Sequence, residues 1–325
     1  MSRKSKACAA VDDSTIMSKA AHLSRIGALV SLVLLAACLA LEGATGAGDA
    51  AHFLRDGLGA RGRSMGSAQI GLGDDFTAPF WNPAPTLQSP STVVGGGIEQ
   101  RNRGLFTFST LGGWLATDTW GAGAVVITSD LYNVYQITGG VRLDGIAFGV
   151  GVKGYQFGTP GDRGSGLGLD AGLRYTADLE EARMTLAAES RDIGWTSIQW
   201  GLLETTAVDR VAWVNRLGAA LSIPLARGSW EIELDVEVAF RRPPEEGDAN
   251  YWEQVGEVNV SLGTALEWSG ISLRFGVQRF DLSDLSARLR PTVGIGVALE
   301  EFAIDIALIP SPLGSSYLGG FQVEL

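Results

Sequence analysis

Beyond residue 47 this 325-residue chain has no cysteine, one histidine and one lysine. Both cysteines, Cys8 and Cys38, precede that point, so the remainder has no disulfide framework and no thiolate metal site. His52 alone cannot build a histidine-cluster zinc site, and a histidine triad would have to recruit it. Positive charge is also scarce. The chain carries 25 Lys+Arg against 36 Asp+Glu. The first 47 residues hold five of the basic and three of the acidic residues, which leaves 20 against 33. That balance argues against nucleic-acid binding. Long apolar runs are missing after the leader, and no segment there is long enough for a transmembrane helix. If this part spans a membrane, a closed barrel is the remaining way to pair every backbone group.

The N-terminus itself reads as an export signal. Ile26–Leu41 is an apolar run preceded by Lys19 and Arg25 and followed by the small residues of Gly43–Ala47. The expected leader is 1–47, cleaved after Ala47, with Met17 as an alternative start. Leu35-Ala36-Ala37-Cys38 resembles a lipoprotein box, although the apolar run continues through Leu39 and Leu41.

What the chain does have is alternation. In Trp230–Arg241 one face carries Trp230, Ile232, Leu234, Val236, Val238 and Phe240. The other carries Glu231, Glu233, Asp235 and Glu237, followed by Ala239 and Arg241. Successive side chains of a strand point to opposite faces, so one face is wholly apolar and the other acidic. Fourteen segments of this kind run from 91 to 325: 91–100, 104–116, 119–129, 133–142, 145–156, 166–177, 183–190, 209–223, 230–241, 253–268, 271–280, 290–299, 302–309 and 317–325. From 117–118 onward alternate junctions are tight, whereas 157–165, 191–208, 242–252, 281–289 and 310–316 are long. Membrane barrels separate short periplasmic turns from longer outer loops in this way. Strand-interior glycines such as Gly149, Gly151, Gly168, Gly172, Gly294 and Gly296 are expected to face the lumen, leaving room there or permitting curvature. Trp120, Trp213, Trp230, Trp268, Tyr175 and Tyr317 lie near strand ends, as an interfacial girdle would.

Between leader and first strand, Phe53–Gln88 combines Gly59-Ala60-Arg61, Met65-Gly66, Asp74-Asp75 and Trp81-Asn82-Pro83-Ala84. This ordered series resembles the start of the PorV/PorQ branch of the FadL-like outer-membrane proteins. Two departures are Pro85, where a glycine is common, and the terminal Leu325 in place of an aromatic residue. The resemblance implies an all-β fold: a transmembrane antiparallel β-barrel of about fourteen strands with an N-terminal hatch inside the lumen. The expected organisation is a signal peptide at 1–47, a hatch at 48–90 and a barrel at 91–325. Gly59, Arg61, Met65, Gly66, Asp74, Asp75, Trp81, Asn82, Pro83 and Ala84 are then hatch or gate residues, whether the hatch only seals the barrel or also contacts a ligand.

An enzyme is not expected. The acids Glu231, Glu233, Asp235 and Glu237 suit a hydrated lumen wall, or pairs with arginines of neighbouring strands or hatch, better than a catalytic or metal site. No metal or cofactor is expected. The outer junction carries Trp195, Ile198, Trp200 and Leu202, an apolar cluster of the kind that marks a ligand or partner surface. Two roles remain open. The resemblance implies either an outer-membrane component linked to secretion-system proteins or a FadL-like transporter of hydrophobic small molecules. Besides these, the expected partner is outer-membrane lipid. The chain should fractionate with outer membranes and migrate faster on gels unheated than boiled; a freely soluble exported protein would contradict the barrel.

Overall fold

The computed structural model describes residues 50–85, 91–159, 162–200, 208–240, 258–281, 289–311 and 314–325. The expected leader, residues 241–257 and Leu202 lie outside the described residues. The strands are β1 (Ser91–Arg101), β2 (Phe106–Ala116), β3 (Trp120–Thr128), β4 (Tyr132–Leu143), β5 (Ile146–Thr159), β6 (Asp162–Asp178), β7 (Arg183–Arg191), β8 (Ser197–Trp200), β9 (Val208–Arg210), β10 (Trp213–Leu225), β11 (Gly228–Phe240), β12 (Val258–Trp268), β13 (Ile271–Asp281), β14 (Arg290–Leu299), β15 (Phe302–Ile309) and β16 (Ser316–Glu324). All except β8 and β9 form one antiparallel sheet in chain order, with β7 beside β10. The sheet closes where β1 pairs with β16, with Val94 opposite Val323 and Gly97 opposite Gly320. Each of the fourteen strands therefore has two neighbours, and the sheet has no free edge.

The fourteen segments read from alternation correspond one to one with these strands. Two details differ. The long junction at 157–165 is instead strand on both sides, because β5 and β6 stay paired out to Thr159 and Asp162. Residues 209–212 do not open β10: Val208–Arg210 pairs with β8 above the barrel, and the main strand starts at Trp213. Both errors have one cause, since alternation cannot say whether a strand continues past the bilayer or pairs with a new partner.

The tight connections and both ends of the barrel chain share one rim. Two of the turns are the dipeptides Asp144-Gly145 and Ser269-Gly270, with φ of 44° and 83°, and 51° and 83°. Positive φ at both central residues is the type I′ pattern, whose twist matches the flanking strands. By the logic of membrane barrels this rim is periplasmic.

The two faces of the wall are inverted relative to a soluble protein. On β5 the outward Phe148, Val150 and Val152 are half exposed or more, whereas the inward Lys153 is fully buried. On β15 Ile304 and Ile306 are exposed, and on β13 Leu273 and Phe275 are exposed while Arg274 is buried. An apolar exterior around a charged interior is stable only with hydrocarbon outside. The chain is thus a transmembrane β-barrel of outer-membrane type. Trp120, Tyr175, Trp230 and Trp268 stand exposed near the tight-turn rim and Tyr317 near the other, as an aromatic girdle requires. Trp213 departs from this set: it is partly covered by Trp195 and Phe240.

Leu234 lies mid-strand on the outward face of β11, opposite Ala219 and Leu262. Leu234→Arg should destabilise the barrel by about 2–4 kcal/mol, measured by reversible denaturant unfolding in lipid vesicles. A loss near zero would mean that this face does not meet lipid.

Candidate functional site in the barrel lumen

Residues 50–85 lie inside the barrel. They form a 3₁₀ turn at His52–Leu54 and two short helices, α1 (Ala60–Ser64) and α2 (Ala78–Trp81). Strand-interior glycines make the space. A Cβ at Gly149 would strike the Pro83 carbonyl, one at Gly172 the Asn82 amide, and one at Gly294 the Ser64 side chain. Pro79 and Pro85 press in the same way on Gly123 and Gly121. Prolines cannot join the ladder, so they pack against the wall without extending it.

The tryptophan of the motif is the centre of this segment. Trp81 is fully buried, its Nε1 donates to Thr77 Oγ1 at 3.1 Å, and its ring fills the places a side chain would take at Gly57 and Gly62. Asn82 spans from segment to wall: its Nδ2 donates to the Ile70 and Leu173 carbonyls at 3.3 Å, while its Oδ1 accepts from Ala84 N at 2.9 Å. Gly59, with φ of 77°, precedes α1. Met65 packs against Gly263, and Gly66 (φ 68°) lies against Gly276 and donates to Thr292 Oγ1 at 3.0 Å.

The acids of β11 are not a hydrated wall. Glu233 is fully buried, and its two oxygens accept from Gly71 N at 2.5 Å and Leu72 N at 3.1 Å. Asp235 Oδ2 accepts from Gln69 N at 2.9 Å and Ile70 N at 3.3 Å. Four consecutive peptide N–H groups thus point at two carboxylates. Glu237 takes Arg55 from the lumenal segment, Arg216 from β10 and Asn259 from β12. Glu231 pairs with Arg61 at 3.2 Å, and Arg61 also pairs with Asp74 at 3.0 Å. Glu231 and Glu237 thus pair with arginines, whereas Glu233 and Asp235 take backbone N–H partners. A glutamine at 233 would place an amide N–H₂ against donor N–H groups, so that substitution is less benign than a wet lumen implies.

Inward arginines complete the grip. Arg174 donates to the Ile70 and Gly73 carbonyls at 3.2 Å, Arg191 to the Phe80 carbonyl at 2.8 Å, and Arg101 to the Phe53 carbonyl at 2.8 Å. Arg191 also lies over the Phe80 ring, and Arg216 over the Trp81 ring. No motif of the sequence marks Arg191 or Arg216. Arg216 carries the signal of an inward strand position, whereas Arg191 falls in the expected outer junction 191–208 and joins β7 only in the structure. Asp75 serves the segment locally, accepting from Thr77 N at 2.8 Å and Thr77 Oγ1 at 2.5 Å. Burial pushes its carboxyl up to about 6, against the pull of those bonds and of Arg61. Burial opposes the charge on Arg61, but Asp74 and Glu231 outweigh it and hold the guanidinium above its ordinary range.

This packing leaves a chamber at each end. The outer one, about 370 Å³, is lined by Phe53, Phe106, Phe108, Tyr132, Phe157 and Trp200, with Asp56, Arg101 and Asp209 among its polar groups. Phe53 lines it, 5.1 Å from the Phe108 ring and 4.9 Å from that of Tyr132. The inner one, about 350 Å³, is polar and lined in part by Arg61, Asp74, Glu267, Arg274 and Asp305. The predicted outer-loop group divides. Trp200 lines the outer chamber and Ile198 is buried in the aromatic cluster beneath it. Trp195 instead packs on Trp213 and donates to the Phe240 carbonyl at 2.9 Å.

The sequence matches no protein-family model and has no significant match among curated proteins. Solved structures of similar shape exist. A deltaS2 mutant of the TodX monoaromatic hydrocarbon channel aligns with a TM-score of 0.49 at 14% identity, over 83% of this chain and 97% of that one. The P. putida toluene transporter TodX aligns with a TM-score of 0.42 at 11% identity, over 83% and 97%. CdiB from Acinetobacter baumannii aligns with a TM-score of 0.43 at 8% identity, over 74% and 61%.

Replacing both Glu233 and Asp235 with alanine strands four buried N–H groups, at about 1–3 kcal/mol for each one left unsatisfied. The pair should raise single-channel conductance in planar bilayers and open 50–85 to added protease, while heat-modifiable migration persists. Unchanged conductance together with unchanged protection would show that these carboxylates do not hold the segment.

Proposed function

We propose that this barrel is an outer-membrane transporter that takes up small apolar molecules, with the outer chamber as the first binding site. The aromatic lining of that chamber carries the reading. Six rings line a half-open volume, with Asp56, Arg101 and Asp209 at its polar side, and a pocket of this size suits a small ligand. The arrangement below supports it: residues 50–85 separate the outer chamber from a polar inner one, so passage requires part of the segment to shift. This is a binding and transport role, not a catalytic one.

A secretion-linked role rests on the N-terminal motif. Within this chain Arg61, Asp75, Trp81 and Asn82 are engaged in holding 50–85 together and to the wall. These contacts account for the four motif residues by architecture, so the motif lends the secretion-linked role no support of its own.

Naphthalene binding, followed by quenching of tryptophan emission in detergent, tests the reading. The folded chain should bind it saturably, and Phe53→Ala should weaken binding about 10-fold, the scale of one lost aromatic contact plus its buried area. Absence of saturable binding, or equal binding by Phe53→Ala, would remove the outer chamber as the ligand site.

A further inference from the structure

Lys153 stands apart from every other cation beyond residue 47, all of which are arginine. It points inward from β5 and is fully buried. Its Nζ lies 3.0 Å from Asp170 Oδ1 on β6 and 2.9 Å from Asp192 Oδ2, just past β7. These two carboxylates are nearly as dry as the lysine. Each is further bonded. Asp170 Oδ1 accepts from Asp192 N at 2.9 Å and Asp170 Oδ2 from Gln136 Nε2 at 3.2 Å. Asp192 Oδ1 accepts from Tyr155 Oη at 2.7 Å and Thr196 Oγ1 at 2.8 Å.

An ion triad without water is costly to keep charged. A neutral lysine amine is a nucleophile, which a guanidinium is not. A second carboxylate beside the amine is what a condensation needs, as a carrier for the proton. We propose that Lys153 and Asp170 join in an intramolecular isopeptide bond that staples β5 to β6, with Asp192 as the proton carrier.

The step balances without a co-reactant. One proton of the Lys153 ammonium passes to Asp170, giving a neutral amine and a carboxylic acid. Nζ attacks Cγ of Asp170, and Gln136 Nε2 donates to Oδ2 as negative charge develops there. Asp192 accepts the next proton from Nζ and delivers it to Oδ1, which leaves as water. A C–N bond forms, a C–O bond breaks, and Asp192 returns to its carboxylate. Two buried charges disappear, and the dry surroundings protect the amide from hydrolysis.

The test is the intact mass of the full chain, exported, purified as the folded barrel and then denatured. It should fall one water short of the mass calculated from its observed N-terminus to Leu325, and a digest should contain a peptide joining residue 153 to residue 170. Lys153→Arg and Asp192→Asn should each show the full mass while remaining heat-modifiable. Asp170→Asn should lose one ammonia instead of one water, since the side-chain nitrogen becomes the leaving group. A folded wild-type chain at full mass with Lys153 unlinked would overturn the proposal, and it needs no variant to fold. A link from Lys153 to Asp192 would overturn the assignment of Asp170.

Discussion

The structure depends first on one constraint: in hydrocarbon every backbone N–H and C=O must find a partner within the protein. A sheet meets that demand only by closing, which here happens between β1 and β16. Closure then dictates where side chains go. Apolar residues turn outward because lipid is there, and the charged half of each alternating strand is forced inward. Asp170 and Arg174 of β6, Glu189 and Arg191 of β7, Arg216 of β10 and Glu233, Asp235 and Glu237 of β11 are buried as a consequence of this inversion.

A second consequence follows from size. About eight strands already enclose only enough space for their own side chains. Fourteen enclose more, and the inward glycines of β3, β5 and β6 enlarge it further. Residues 50–85 occupy that room in two distinct ways. Pro79, Pro83 and Pro85 rest on glycines of the wall, and Gln136 of β4 donates to the Pro79 carbonyl. Residues 69–73 are held by Glu233, Asp235 and Arg174 through their peptide groups. Carboxylates and guanidinia that would be expensive alone in a dry lumen are satisfied by the segment, and the segment's peptide groups are satisfied by them. Neither partner is well accommodated without the other.

The division into two chambers has the same origin. Phe53 precedes the charged contacts of the segment and stacks among rings contributed by β2, β4 and β5 near the outer rim. Arg61 and Asp74 lie toward the opposite rim, where Arg274 and Asp305 supply further charge. An apolar chamber therefore lies toward the outer rim and a polar one toward the opposite rim.

Alternation marked fourteen segments and split the side chains of each into two faces; that the apolar face meets lipid followed only once the antiparallel sheet closed between β1 and β16. It also placed the girdle residues Trp120, Trp230 and Trp268 near their ends. The motif residues of 59–84 could be marked as one unit, since their glycines, prolines and acids suit no strand. What alternation could not supply was contact across the lumen. That Glu233 and Asp235 face the N–H groups of 69–72, that Arg191 reaches the Phe80 carbonyl, and that Lys153 sits between Asp170 and Asp192 are relations between residues far apart in sequence. They exist only after the sheet has curved, because curvature brings inward positions of non-adjacent strands within reach of the same segment. Trp195 and Trp200 show the limit clearly. They lie five residues apart with similar chemistry, yet one braces Trp213 and the other lines the outer chamber, because β8 turns away from the wall to pair with β9.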